Sequence, residues 1–314
     1  MNEVKHDENA TGKPAVLITG GTGFIGKRLT AFLADNGYEV ILLSRKVTNQ
    51  RNATICKWDP EKGIIDADAF ENVGYIIHLA GANIGEKRWT GKRKKEIIES
   101  RTMSARLIFN ALKKSGKSIK AFISASATGI YGTVTSEHIF TEGDAPAADY
   151  LGNVCRQWEE AADLFSLSGI RTVKVRTAVV LNKSEGALAK LTMPAKFGFL
   201  VKTGTGDQYF PWIHPEDLCR IYLKAIEDPE MQGAYNAVAP GHVTQSGFMD
   251  ILGKLMKKLV FPAGIPRILL RVALGEMSGV ITEGSRVSSE KLIKAGFSFR
   301  FNLPEEALKN LLPD

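Results

Sequence analysis

The first ordered pattern in the chain is Ala15-Val-Leu-Ile-Thr19, a short apolar run rich in β-branched residues, which predicts a strand buried on both faces. Over Lys27–Asn36, Leu29, Phe32 and Leu33 recur on one side at helical spacing, and Gly37 closes that helix before a second strand, Tyr38–Leu43. The same alternation continues downstream. Tyr75–Gly81 reads as a buried strand ending in small residues, and Thr90–Lys114 as a helix. Ala121–Ser126 reads as a strand, a helix then carries Cys155, Trp158, Ala162 and Phe165, and Arg171–Leu181 is another strand. Strands and helices alternating at this spacing predict an α/β fold: a Rossmann-type, doubly wound parallel sheet with its ligand at the carboxyl ends of the strands. Beyond residue 182 the alternation weakens as Gly and Pro become frequent. Residues 14–182 are therefore expected to form the sheet unit, with part of the later chain returning to it. Residues 183–314 should form a smaller region covering the substrate side, and residues 1–13 a disordered polar leader.

Between the first strand and the first helix lies Gly20-Gly-Thr-Gly23-Phe-Ile-Gly26. In that context the glycines have separate tasks. Gly20 permits the tight turn, Gly23 lets backbone N–H groups approach a pyrophosphate, and Gly26 lets helix and strand pack closely. The pattern predicts a dinucleotide site. An NAD site places Asp or Glu after the second strand to hold the ribose 2′-hydroxyl, and this chain has Ser44-Arg45-Lys46 instead. A carboxylate there would repel a 2′-phosphate, whereas a guanidinium forks onto it, so the expected cofactor is NADP(H).

Composition narrows the class further. With 44% hydrophobic and 24% charged residues, the 314-residue chain is ordinary for a globular protein, and wholesale disorder is excluded. No apolar run reaches the roughly 20 residues of a membrane span, because Arg271 and Glu276 break the best candidate, Ile268–Ile281. The N-terminus has no secretory pattern, and Cys56, Cys155 and Cys219 are scattered, which suits a reducing cytoplasm and argues against a disulfide or metal framework. The net charge of +7 is concentrated: residues 86–120 carry twelve Lys/Arg against three Asp/Glu. So local an excess, interrupted only by Trp89, reads as a solvated helix start with some residues turned to an anionic ligand, not as a nucleic-acid surface.

These motifs resemble the short-chain dehydrogenase/reductase superfamily, extended type. The chain is more closely similar to an atypical branch of it, described as NAD-dependent epimerase/dehydratase-like or cell-division-inhibitor-like. The segments that carry the resemblance are Thr19–Gly26, His78–Gly81, Arg88-Trp89-Thr90, Glu96–Arg101, Ser124–Gly129, Trp158-Glu159, Phe210–His214 and the tail from Leu274 to Phe297. The resemblance implies cofactor contacts at Gly20, Gly23, Phe24, Ile25 and Gly26, with Ser44 and Arg45 at the 2′-phosphate. It also implies contacts at Leu79, Ala80, Gly81, Glu96, Arg101 and Val180. Arg101 has an independent rationale, since a partly buried arginine among uncompensated basic residues calls for an anion. Glu96 reads equally as a surface residue of its helix.

The departure from the superfamily is informative. Typical members pair a tyrosine with a lysine four residues later, yet none of the seven tyrosines here has one; if Trp158-Glu159 sets the register, Leu151 and Cys155 stand in those positions. Ser126, Thr128 and Tyr150 are the remaining candidates for polarising a carbonyl or moving a proton. His214 and Asp217 are expected to start a helix, and no Asp, Glu and His cluster has metal-ligand spacing. The expected function is an NADP(H)-binding oxidoreductase or epimerase-like enzyme for a small polar substrate, without nucleic-acid or membrane partners. The alternative is a catalytically lapsed NADP(H)-binding sensor or regulatory partner-binding protein.

Overall fold

The computed structural model describes residues 13–46 and 52–312, so the leader, save Lys13, lies outside the described residues. Its central sheet has eight strands: β1 (Ala15–Thr19), β2 (Val40–Ser44), β3 (Thr54–Asp59), β4 (Ile64–Ile65), β5 (Val73–His78), β6 (Ala121–Ala127), β8 (Arg171–Thr177) and β12 (Gly233–Ala237). Their order is β12-β8-β6-β5-β1-β2-β3-β4, parallel except for the terminal β3–β4 pair. The chain winds outward from β1 to β3 and then returns to β5 on the other side of β1. The β1–β5 boundary is thus the point where a doubly wound sheet opens a crevice.

Side-chain alternation along β1 sends Val16 and Ile18 to one face and Ala15 and Leu17 to the other, and all four are buried. On the first face α1 (Phe24–Asp35) packs beside α5 (Pro215–Glu227), through Leu29, Leu33, Leu218 and Tyr222. On the second face α2 (Gly91–Ser115) packs beside α3 (Tyr150–Leu167), where Phe122 stacks on Phe165 with ring centroids 3.6 Å apart. Each fully buried Leu or Ile in these layers contributes about 1.5–3 kcal/mol.

Three pairs of short strands lie outside the main sheet: β7 (Ile139–Phe140) with β14 (Arg286–Val287), β9 (Val179–Val180) with β11 (Trp212–Ile213), and β10 (Phe199–Thr203) with β13 (Leu259–Ile265). The strand expected to run from Arg171 to Leu181 therefore divides. Ala178 N–H bonds to Ala237 O, and the chain then leaves the sheet so that Val179 and Val180 pair with Trp212 and Ile213. Leu181, Leu188, Leu200, Trp212, Phe248 and Leu308 form a separate apolar cluster. It is built from the chain around α4 (Gly186–Thr192) and α6 (Gln245–Met256). No helix among the described residues is long and apolar enough to cross a membrane.

Candidate functional site

At the crevice, Gly20 takes φ +71°, and a Cβ there would lie 2.9 Å from the Leu79 carbonyl carbon, so only glycine lets the two strand ends meet. Gly26 permits the second close approach, since a side chain there would overlap the Gly20 carbonyl oxygen. Gly23 caps α1 without a side-chain bond, and the first turn of α1 has no acidic residue, so its outward N–H groups are left for an external anion. Phe24 and Ile25 begin that helix. At the end of β2 the buried Ser44 hydroxyl accepts Lys46 N–H at 3.3 Å, beside exposed Arg45.

The far wall is braced from behind. His78 is fully buried, with Nδ1 2.8 Å from Thr19 Oγ1, and that same oxygen accepts Ala80 N–H at 3.2 Å. Since Nε2 faces the Arg101 carbonyl and the Ser104 hydroxyl, the proton resides on Nε2, and Nδ1 accepts from Thr19. This chain of bonds fixes Leu79, Ala80 and Gly81. The loop that follows is clamped by buried Arg93, which donates to Asn83 O and pairs with Glu86 and Glu96. Glu96 is exposed, and its bond to Arg93 holds its carboxyl below the usual range. Arg101 is more deeply placed than its sequence context suggests, at 8% exposed. Val180, on β9, is half-buried.

At the end of β6 and beyond it, the three proton-handling candidates sit in different surroundings. Ser126 is buried and donates to Glu159 Oε1 at 2.7 Å. Arg176 holds both oxygens of Glu159 at 2.8 and 2.9 Å and also donates to Tyr131 Oη, which in turn donates to Asn236 Oδ1. Thr128 is half-buried in the 3-10 turn that follows. Tyr150 starts α3, packs edge-on against Trp89 and donates to Lys94 O at 3.3 Å, and burial pushes its phenol up to about 12. Leu151 and Cys155, four apart on α3, face Gly129, and burial lifts the Cys155 thiol to about 12.

Comparison with known proteins gives this arrangement its place. The model of the NAD dependent epimerase/dehydratase family matches residues 16–238, from the second residue of β1 to just past β12. The chain belongs to the NAD-dependent epimerase/dehydratase family. A domain of unknown function, DUF1731, matches residues 265–311 of this epimerase-family protein. It is 36% identical over 302 residues to the epimerase family protein YfhF of Bacillus subtilis, covering 95% of this chain and 98% of that one. It is 32% identical over 303 residues to the human epimerase family protein SDR39U1, covering 95% and 99%. A crystal structure of human SDR39U1 with NADPH superposes with a TM-score of 0.83 at 29% identity, over 95% of this chain and 98% of that one. UDP-glucose 4-epimerase from Thermotoga maritima shares the fold at a TM-score of 0.73 and 20% identity, over 93% and 96%.

Two buried histidines carry a measurable consequence. His214 caps α5 by accepting Glu216 N–H at Nδ1, while Nε2 faces Asn310 Oδ1. As expected from the sequence, Asp217 follows in the first turn, where its buried carboxylate accepts the Arg300 and Phe301 N–H groups. Burial draws both His78 and His214 down to about 4 from the usual 6.5. The unfolded chain therefore binds protons that the folded one refuses. Neutral burial contributes stability that is complete above pH 6.5 and is lost as the pH falls towards 4, by about 3 kcal/mol for His78. Urea midpoints are expected to drop across that window, and a flat profile would refute neutral burial of both rings.

Three supporting residues were missed in the sequence: Arg93, Glu159 as more than a marker of register, and Arg176. A signal existed for the last. In β8, Val173 and Val175 alternate with Lys174 and Arg176, and a sheet covered on both faces leaves such charges in need of partners.

Proposed function

We propose that this epimerase-family protein binds NADP(H) across the β1–β5 crevice and acts as an oxidoreductase or epimerase-like enzyme on a small polar substrate. The observation that carries this reading is the uncapped start of α1 beside Gly20 and Gly26, with Ser44-Arg45 where an NAD site has a carboxylate. The NADPH found with human SDR39U1 supports it. Gly20, Gly23, Phe24, Ile25 and Gly26 would hold the pyrophosphate side, Ser44 and Arg45 the 2′-phosphate, and Leu79, Ala80 and Gly81 the opposite wall. The chain after residue 182 would cover the substrate. A bound nicotinamide supplies or accepts a hydride.

The chain's own contribution is the proton. A phenol near 12 is ionised in only about one molecule in 10⁵ at pH 7, so Tyr150 serves as a donor and not as a base. Ser126 already gives its hydroxyl proton to Glu159, which leaves Thr128, whose hydroxyl has no bond among the described residues, to polarise a carbonyl. Carbonyl reduction is favoured over alcohol oxidation near neutrality. The apolar pair Leu151 and Cys155, in the place of a tyrosine–lysine dyad, favours a second reading, an NADP(H)-holding sensor. Stoichiometric oxidation of bound NADPH by a carbonyl panel selects the enzyme, and inert binding selects the sensor.

NADPH is expected to bind about 10- to 150-fold more tightly than NADH, the worth of a charge-assisted fork onto one phosphate. Arg45→Ala should remove most of that preference. Titration of both cofactors decides it, and equal affinities in the wild-type protein would sink the assignment.

A further inference from the structure

The main sheet is covered on both faces, but the ribbon formed by β10 and β13 is covered on one. Its register sets Phe199 opposite Leu259, Leu200 opposite Val260 and Val201 opposite Phe261. Leu200 and Val260 join the apolar cluster beneath them, which includes Leu252 of α6. Alternation along each strand turns Phe199, Val201, Leu259 and Phe261 outward, where the rings of Phe199 and Phe261 meet edge to face with centroids 5.1 Å apart. Leu259 and Phe261 are exposed. The flanking segments add to this apolar face. The 3-10 turn Met193–Phe197 leads into β10 through Gly198 and leaves Phe197 79% exposed. β13 leads through Pro266 into α7 (Arg267–Leu274), none of whose eight residues is buried. On α7, Ile268 and Val272 are one turn apart and each 71% exposed, with exposed Leu269 beside them. Single exposed apolar side chains are ordinary, but several gathered on adjoining segments mark a contact surface.

The charge of these segments says what makes that contact. Outside residues 86–120 the acidic and basic residues nearly balance overall, yet residues 186–205 and 251–275 hold eight Lys/Arg and no Asp/Glu. Lys202 pairs with Asp250 and Arg267 with Glu283. Lys196, Lys257 and Arg271 are exposed and make no ion pair among the described residues. A second copy docked about a twofold axis would set this basic rim against itself, because an isologous contact uses the same patch twice. A folded peptide needs a concave site that half-buries its anchors, whereas these side chains stand out from the surface. A fluid anionic surface needs no concavity. Apolar side chains sink past its headgroups while the basic ones stay among the phosphates.

We propose that the outer face of the β10–β13 ribbon, the turn ending at Phe197 and α7 together form a docking surface for an anionic phospholipid bilayer, on which the protein rests peripherally. The expectation of no membrane partner came from the lack of a spanning segment, and surface binding does not require one. The surface lies wholly in the chain after residue 182 and does not depend on how the crevice is used.

The test is flotation of the full chain with vesicles of phosphatidylglycerol and phosphatidylcholine in roughly equal parts, against vesicles of phosphatidylcholine alone. The protein is expected to float with the anionic vesicles and to stay behind with the neutral ones, and raised salt should release it. Ile268→Ser with Val272→Ser should weaken binding about tenfold or more through lost apolar contact. Lys196→Gln with Arg271→Gln should weaken it about 30-fold, at about fivefold per charge. The control is Lys113→Gln with Lys114→Gln, exposed lysines at the opposite end of α2 from the Lys94–Glu276 pair that adjoins α7, and it should change binding less than about threefold. Phe197→Trp keeps every charge and the apolar area, and on anionic vesicles its added fluorescence should be quenched by brominated acyl chains. That signal decides the matter should the serine variants be recovered unfolded. The proposal is overturned if the anionic vesicles float without the protein, if neutral vesicles carry it equally well, or if the serine or glutamine pair binds as the wild type does. It is also overturned if the α2 control weakens binding as much, or if the tryptophan variant is not quenched. A wild-type dimer in light scattering that the serine pair converts to monomer would give the surface to a second copy instead. Binding to polyglutamate as tight as to anionic vesicles, and equally sensitive to the serine pair, would give it to an acidic protein.

Discussion

Replacing Glu159 by alanine is expected to lower folding stability by about 3–5 kcal/mol, because it leaves Arg176 as a buried charge without its counterion. Both side chains are less than a tenth exposed, at 8% for Glu159 and 7% for Arg176. The loss also strips Ser126 of its acceptor, while Arg176 keeps only Tyr131 Oη and the Glu142 carbonyl. A domain has only about 5–15 kcal/mol in hand, so denaturant midpoints should move far. The double replacement Glu159→Leu, Arg176→Met is expected to recover most of the loss, because it removes both charges together and keeps the volume. A loss below about 1 kcal/mol in the single variant would show that the pair is solvated in solution.

Gly26→Ala should abolish dinucleotide binding. The new methyl group would occupy the space of the Gly20 carbonyl oxygen and crowd Gly21, and both are backbone, so α1 has to move off β1. A displaced helix start no longer points its N–H groups at the pyrophosphate, and a loss of about 100-fold or more in NADPH affinity follows, equivalent to about 2.7 kcal/mol. Stability should fall by about 1–3 kcal/mol from overpacking. Gly37→Ala is the control. Gly37 also has a positive φ, +80°, but nothing lies within 4 Å of a Cβ there. That variant should lose about 1–2 kcal/mol of stability to backbone strain and leave cofactor affinity unchanged. Undiminished NADPH binding by Gly26→Ala would mean that the glycine loop is not the cofactor's cradle.

The parts of the fold that could be read from the sequence are those where one local signal controls one element. β1, α1 and β2 are set by an apolar run, a helical stripe and a closing glycine, and they lie at Ala15–Thr19, Phe24–Asp35 and Val40–Ser44. β3 escaped because only Trp58 of its six residues is buried, so it offers no apolar periodicity. β12, Gly-Ala-Tyr-Asn-Ala, escaped because its small residues are fixed in the sheet by pairing with β8 and not by propensity. The division after Thr177 has the same origin: Val179 and Val180 read as strand in either case, and their partners, Trp212 and Ile213, lie more than thirty residues downstream. At the site, the crevice glycines were legible because backbone geometry permits no other residue. Arg101 was legible as a partly buried arginine, and it is 8% exposed. The bond from Ser126 to Glu159 was not, because it joins residues 33 apart across two elements.

The position of β12 has a consequence while the protein is being made. β8 is complete at Thr177, yet the strand that covers its outer edge begins only at Gly233. At roughly 5–20 residues per second, translation of residues 178–232 takes roughly 3–11 s, and for that time β8 presents a row of free N–H and C=O groups to whatever strand is near. The nascent chain answers this hazard only in part, since Lys174 and Arg176 put two charges on one face of β8 while Val173 and Val175 leave the other apolar. Slowing of the ribosome between the emergence of Thr177 and that of Ala237 from its exit tunnel would therefore raise the yield of mispaired chains, while the same delay once Ala237 has emerged would not.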